Sequence, residues 1–174
     1  GKAEGRACPW HLTGKGTRFG MPKVDANFNG LTFAERILFV LALAGIEKFA
    51  LVRDVETPDM LASIRYGMQQ ALKEYARPDG WLIFPVDHPM VREDTIKRLQ
   101  EEFSTRLNSI VIPRCRGKSG HPVILPGCFT IEEEANPLGL KGLIINSAFP
   151  VHYVEVEDEG ILRNFNTPED VIYV

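Results

Sequence analysis

Three glycines and three cations share one short stretch of this chain, TGKGTRFGMPK (13–23). Glycine has no Cβ, so at Gly14, Gly16 and Gly20 backbone N–H groups can approach an anion closely. Lys15, Arg18 and Lys23 place positive charge in the same segment. Arginine forks onto phosphate oxygens, whereas lysine acts as a compact point charge. The combination suits a polyphosphate, with a solvated turn as the alternative. The spacing is neither GxxxxGK[ST] nor GxGxxG, which excludes the P-loop and dinucleotide fingerprints.

A carboxylate is the second chemical feature. Trp81 to Val86 is a mainly apolar run that ends on Asp87, after which Pro89 turns the chain. A carboxylate delivered to a strand end opposite a phosphate loop is where Mg2+ is needed. Mg2+ takes one or two carboxylates and fills its shell with phosphate oxygens and waters. The alternative is that Asp87 caps the next turn. His88 adjoins it but reads as a turn residue, because Mg2+ prefers oxygen. His11 and His152 have no partners at metal spacing.

Alternating helical and extended patterns must position these groups. A helix is expected over 32–45, capped by Thr32 and stopped at Gly45. Further helices are expected over 61–76, 92–107 and 138–148, and a last one begins at Thr167 with Pro168 in its first turn. A short buried strand is expected over 48–54, a continuous apolar one over 81–87, further strands over 109–113 and 122–126, and a half-exposed one over 151–157. The stretch 7–12 makes a poor first strand because of Pro9. Strands separated by helices predict an α/β fold with a mostly parallel sheet covered on both faces. In such a sheet, ligands bind beyond the carboxyl ends of the strands.

Composition bounds the function classes. The 174 residues are 44% hydrophobic and 25% charged, with a net charge of −3. No basic surface advertises a nucleic acid. The longest apolar run, Ile37 to Ala44, is far short of a membrane span. The N-terminal stretch is polar and glycine-rich, without a signal-peptide pattern. Cys8, Cys115 and Cys128 are odd in number and widely spaced, which reads as reduced thiols in a cytoplasmic protein.

Five segments, in order, resemble the MobA-like NTP transferase family, in particular its molybdenum cofactor cytidylyltransferase branch. GKGTRFGMPK resembles the family's GxGxRMGxPK loop, and LASIRYGM (61–68) its serine–arginine helix start. PVDHPMV (85–91) resembles the metal-site strand, RGKSGHPVIL (116–125) the GHP segment and FNTPEDV (165–171) the DTPEDL segment. The resemblance implies a three-layer, Rossmann-like, glycosyltransferase-A-type nucleotidyltransferase fold spanning 1–174 as a single domain. It implies a Mg2+-dependent transfer of a nucleoside monophosphate, with CTP favoured as donor. The acceptor would be a phosphorylated small molecule such as the molybdopterin cofactor, with pyrophosphate leaving. A molybdoenzyme or its chaperone is the implied protein partner, with neither nucleic acid nor membrane involved. Gly14, Lys15 and Gly16 would hold the nucleotide, with Ser63 and Arg65 near the nucleotide or the ribose. Arg18 and Lys23 would neutralise the triphosphate, Asp87 and Asn166 would bind the metal, and His121 would face the acceptor. Catalysis of this kind is mostly positioning and electrostatics.

Three departures bear on the reading. Leu12 and Thr13 stand where the family has small residues against the base, which leaves base choice open. The family carries a further helix and strand that have no counterpart near 54–60. Asn166 replaces an aspartate, keeping an oxygen ligand but losing its charge. Two alternatives follow: a transferase using GTP or a sugar-phosphate acceptor, and a non-catalytic protein that binds the nucleotide or cofactor for a partner.

Overall fold

A computed structural model describes residues 10–13, 27–28, 30–52, 57–132 and 136–166. In chain order its elements begin with β1 (Trp10–Thr13), β2 (Asn27–Phe28), β3 (Leu31–Thr32) and α1 (Phe33–Leu43). They continue with β4 (Phe49–Val52), α2 (Met60–Glu74), β5 (Gly80–Pro85) and α3 (Glu93–Ser104). The remainder are β6 (Ile110–Cys115), β7 (Lys118–Ser119), β8 (Val123–Pro126), α4 (Gly139–Asn146), β9 (Val151–Glu155) and a 3-10 turn (Glu159–Leu162). The helix expected from Thr167 lies outside the described residues.

Local chemistry accounts for the element starts. Thr32 caps α1 through a capping box: its hydroxyl accepts from the Glu35 N–H, and the Glu35 carboxylate accepts from the Thr32 N–H. These bonds, backbone first and hydroxyl second, hold the exposed Glu35 carboxyl below its ordinary range. Gly45, with φ of 77°, follows the C-cap as the sequence predicts. Asp59 caps α2 by accepting from the Ala62 N–H.

The main sheet has seven strands in the order β4-β1-β5-β8-β6-β7, with β9 on the other side of β6. The β1–β4, β1–β5 and β6–β9 pairs are parallel. β8 runs against both β5 and β6, and β7 runs against β6. The sheet is therefore mixed, although β4, β1, β5, β6 and β9 share one direction. The reversal is local: Arg116 (φ 50°) and Gly117 (φ 75°) form a tight hairpin that sends the chain back beside β6. Two strand expectations are corrected. A first strand does form, starting after Pro9, and it is central, between β4 and β5. The strand near 48–54 is not buried: among the described residues β4 is an edge strand paired only with β1, and Phe49 is 39% exposed. Residues 53–56 lie outside the described residues, and no helix or strand is described between Val52 and Met60.

Both faces of the sheet are covered, and β5 shows how. Its Leu82 and Phe84 pack with Phe33, Ile37 and Leu41 of α1 and with Ile96 and Leu99 of α3. Its Trp81 and Ile83 pack on the opposite face with Leu61, Ile64 and Met68 of α2 and with Leu140 of α4. Successive strand side chains point to opposite faces, so a doubly covered strand must be apolar throughout. Burying each such side chain is worth roughly 1.5–3 kcal/mol. Among the described residues, no helix is long and apolar enough to cross a membrane.

Candidate functional site

β5 ends at Pro85, and the next two residues turn, bringing Asp87 to the carboxyl end of the parallel strands. The Asp87 side chain keeps 23% of its surface open, whereas the β5 residues before it are buried. Its backbone is held tightly. The Phe165 N–H donates to the Asp87 carbonyl at 2.8 Å, and the His88 N–H donates to the Pro85 carbonyl at 3.2 Å. The first of these bonds sets half-buried Asn166 beside the Asp87 turn in the chain.

His121 comes to the same place from another direction. It lies in the break between β7 and β8, and antiparallel pairing puts Val123 opposite Ile83, near the end of β5. The His121 N–H donates to the Ile161 carbonyl at 3.0 Å. Gly120 permits that approach: a Cβ there would lie 2.2 Å from the Ile161 oxygen. The His121 and His88 rings stand 5.1 Å apart and tilted by 54°. His88 Nε2 is 3.7 Å from Asp87 Oδ1, an electrostatic contact beyond hydrogen-bond range. Asp87, His88, Ser119, His121 and Asn164 form the polar lining of a cleft of about 310 Å³, with Met60, Ile161 and Leu162 as its apolar wall.

A short strap, residues 158–166, ties these pieces together. Buried Asp158 accepts from the Arg92 N–H (2.9 Å), the Thr95 hydroxyl (2.6 Å) and the Gly160 N–H (2.9 Å). Its carboxylate thus caps α3 from a distance and anchors the 3-10 turn. The strap then passes His121 at Ile161 and Asp87 at Phe165.

His121 is neutral near pH 7. Burial, followed by the nearby His88, pushes its pKa down from 6.5 to about 4, with Asp87 pulling the other way. Its Nδ1 is buried and has no hydrogen-bond partner among the described residues. A neutral imidazole carries one donor and one acceptor nitrogen, so this side chain can bond a ligand group of either kind. The unfolded chain binds the His121 proton below about pH 6.5, while the fold resists it until about pH 4. The contribution to stability is therefore complete above pH 6.5 and is lost as pH falls through that window. The loss amounts to about 3 kcal/mol at most. Melts between pH 7.5 and 4 should show a shallower acid decline for His121→Gln than for the parent. Superimposable declines would remove His121 as the cause.

The backbone of Leu12 and Thr13 is in β1, with Thr13 in register with Pro85, at the Asp87 end of the sheet. Gly14, Lys15, Gly16, Arg18 and Lys23 lie outside the described residues. Ser63 and Arg65 sit on α2, and neither lines the cleft. The Ser63 hydroxyl is buried against Thr57 and the Asp59 carbonyl, and Arg65 Nη1 donates to the Glu132 carbonyl at 3.1 Å. Sequence reasoning missed Ser119 and Asn164 and took His88 for a turn residue. The available signal was proximity in sequence: Ser119 is two residues from His121, and Asn164 two from Asn166. A wider cleft of about 890 Å³, between Arg92, Arg98, Cys115 and Glu157, contains none of the predicted site residues. Among the described residues, no cluster of three His, Cys, Asp or Glu side chains could hold a metal by itself.

A sequence profile described as the MobA-like NTP transferase domain matches residues 13–143. No curated protein matches the sequence significantly. Among solved structures, Rv0371c from Mycobacterium tuberculosis H37Rv superposes with a TM-score of 0.75 at 21% identity, covering 95% of each chain. A complex of Rv0371c with manganese, from the same organism, gives 0.65 at 19% identity over 97% of this chain and 98% of that one. The 2-C-methyl-D-erythritol 4-phosphate cytidylyltransferase of Thermus thermophilus gives 0.68 at 15% identity over 95% and 96%. At these identities the likeness establishes the fold.

Proposed function

The chain belongs to the MobA-like NTP transferase family and is a nucleotidyltransferase, and on that premise we propose a divalent-cation-dependent enzyme moving CMP from CTP to a phosphorylated small molecule. One domain, residues 1–174, carries the reaction, and the molybdopterin cofactor is the most specific acceptor. An acceptor phosphate oxygen attacks the α-phosphorus of the nucleotide. The new P–O bond forms as the bond to the β-phosphate oxygen breaks, and pyrophosphate leaves with the electron pair. No nucleophilic side chain is needed, so the protein's work is positioning and charge neutralisation.

The single observation that carries this reading is the placement of Asp87. A wholly buried strand presents the carboxylate at the end of the sheet that β1 also reaches before the glycine-rich segment. Asp87 and Asn166 offer oxygen donors, which fit a hard divalent cation such as Mg2+. A lone carboxylate leaves most of the coordination shell to phosphate oxygens and water, as Mg2+ prefers. The cation supplies charge neutralisation on the triphosphate when bound. In this reading Gly14, Lys15 and Gly16 cradle the phosphates, and Arg18 and Lys23 neutralise them. Ser63 and Arg65 support the nucleotide side through α2. Neutral His121, with His88, Ser119 and Asn164, receives the acceptor. A molybdoenzyme or its chaperone takes the product, in the cytoplasm. The likeness to a manganese complex supports a divalent cation, and the likeness to a cytidylyltransferase supports CTP.

A second reading has a specific observation behind it. The structural likeness to an enzyme named for a 4-phosphate acceptor favours a sugar or polyol phosphate in the cleft. Pyrophosphate release, screened across the four NTPs with molybdopterin and a panel of sugar phosphates, separates the two. Release with CTP and molybdopterin is the expected result. Release only with a sugar phosphate, or only with GTP, transfers the assignment to the corresponding alternative. No release with any pair supports a non-catalytic nucleotide- or cofactor-binding accessory.

A further inference from the structure

We propose that the first turn of α1 is a clamp that positions Asp87, with Arg36 as its hydrogen-bonding jaw and Phe33 as its apolar one. The inference rests on the reading of Asp87 as the cation ligand and adds two positioning residues to that site. Arg36 Nε donates to the Pro89 carbonyl at 2.6 Å, across 53 residues of sequence. Phe33 is fully buried and packs edge-on against Phe165, with ring centroids 5.7 Å apart and planes at 64°. Phe165 in turn donates its N–H to the Asp87 carbonyl at 2.8 Å. The Asp87 turn is therefore gripped on both sides: directly by Arg36 two residues downstream, and through Phe165 at Asp87 itself.

The two jaws share one helix face, because residues three apart are neighbours on a helix. Their origin is rigid, since the Thr32–Glu35 capping box fixes the start of α1. Pro89 has no N–H to contribute to a local bond, and its carbonyl takes a charged donor, the stronger kind of hydrogen bond. A ligating carboxylate works only when held close to its productive geometry, so a residue that fixes its peptide acts on the site without touching substrate.

The test uses the full chain with Mn2+ as the probe, its binding followed by electron paramagnetic resonance in the presence of CTP. Arg36→Met keeps much of the side-chain length but removes the donor. It should raise the half-saturating Mn2+ concentration about tenfold. The Mn2+ requirement for pyrophosphate release should rise in parallel, while the KM for CTP stays close to the parent's. Arg36→Lys, which retains a donor, should recover part of the loss. A merely structural role would lower the melting temperature and leave Mn2+ saturation unchanged, and that result overturns the proposal. Should Arg36→Met fail to fold, Phe33→Leu takes its place, with the same expected shift and the same overturning result.

Failure of the cation reading shows up separately, as a parent protein that takes up no Mn2+. The clamp is then judged by amide hydrogen exchange. Arg36→Met should reduce protection of the Phe165 amide about tenfold while β6 and β8 keep theirs. Unchanged protection at Phe165 overturns the clamp.

Discussion

Asp87→Asn is expected to keep the fold and remove most cation-dependent turnover, a loss of about a hundredfold or more in kcat/KM. The two side chains have nearly the same shape, so packing survives. The backbone bonds at this position do not depend on the side chain's charge: the Asp87 carbonyl accepts from Phe165, and the His88 N–H donates to Pro85. The negative charge is lost and one ligand oxygen becomes an amide NH2, and ligand charge and oxygen donors govern affinity for a hard cation. Thermal melts and pyrophosphate release measured on the same preparation should therefore separate, with the melt near the parent's and the activity gone. A variant that unfolds, or one fully active at limiting Mg2+, would make Asp87 a structural carboxylate and remove the metal assignment.

Lys23→Ala should cost about a hundredfold in rate, by analogy with other electrostatic donors in water-poor sites. Pyrophosphate is a highly charged leaving group, so a cation held against the triphosphate is worth more as charge accumulates on it. Lys23 lies outside the described residues, and its placement rests on the resemblance of GTRFGMPK to the family loop. The measurement is kcat/KM for each competent NTP, alongside a melt that should not move. Unchanged kcat/KM with any such NTP would leave the lysine without its role. A raised KM with kcat intact would restrict it to uniform binding, equal in the ground and transition states.

The two variants probe features that were unequally legible in the sequence. The run Trp81 to Val86 read as a continuous apolar strand, and its end at Asp87 was visible because the apolar pattern stops there. Thr32 and Gly45 announced α1, since a helix's cap and stop are read from residues at its own ends. The same local rules misjudged β4 and β1. A short apolar run looks alike whether its strand lies at the edge or at the centre, and Pro9 discouraged a strand that begins one residue later.

By itself, the sequence determined the alternation of helices and strands, the apolar faces that pack them and the chemical types available at the strand ends. Those properties follow from side-chain periodicity and from interactions within a turn or two of the chain. The reversed direction of β8, the meeting of His88 with His121, the Asp158 anchor and the contacts of Arg36 and Phe33 around the Asp87 turn emerge from the folded arrangement alone. Each is a contact between segments distant in sequence, set by strand order and backbone approach, and no local pattern encodes which distant carbonyl or ring a side chain will meet.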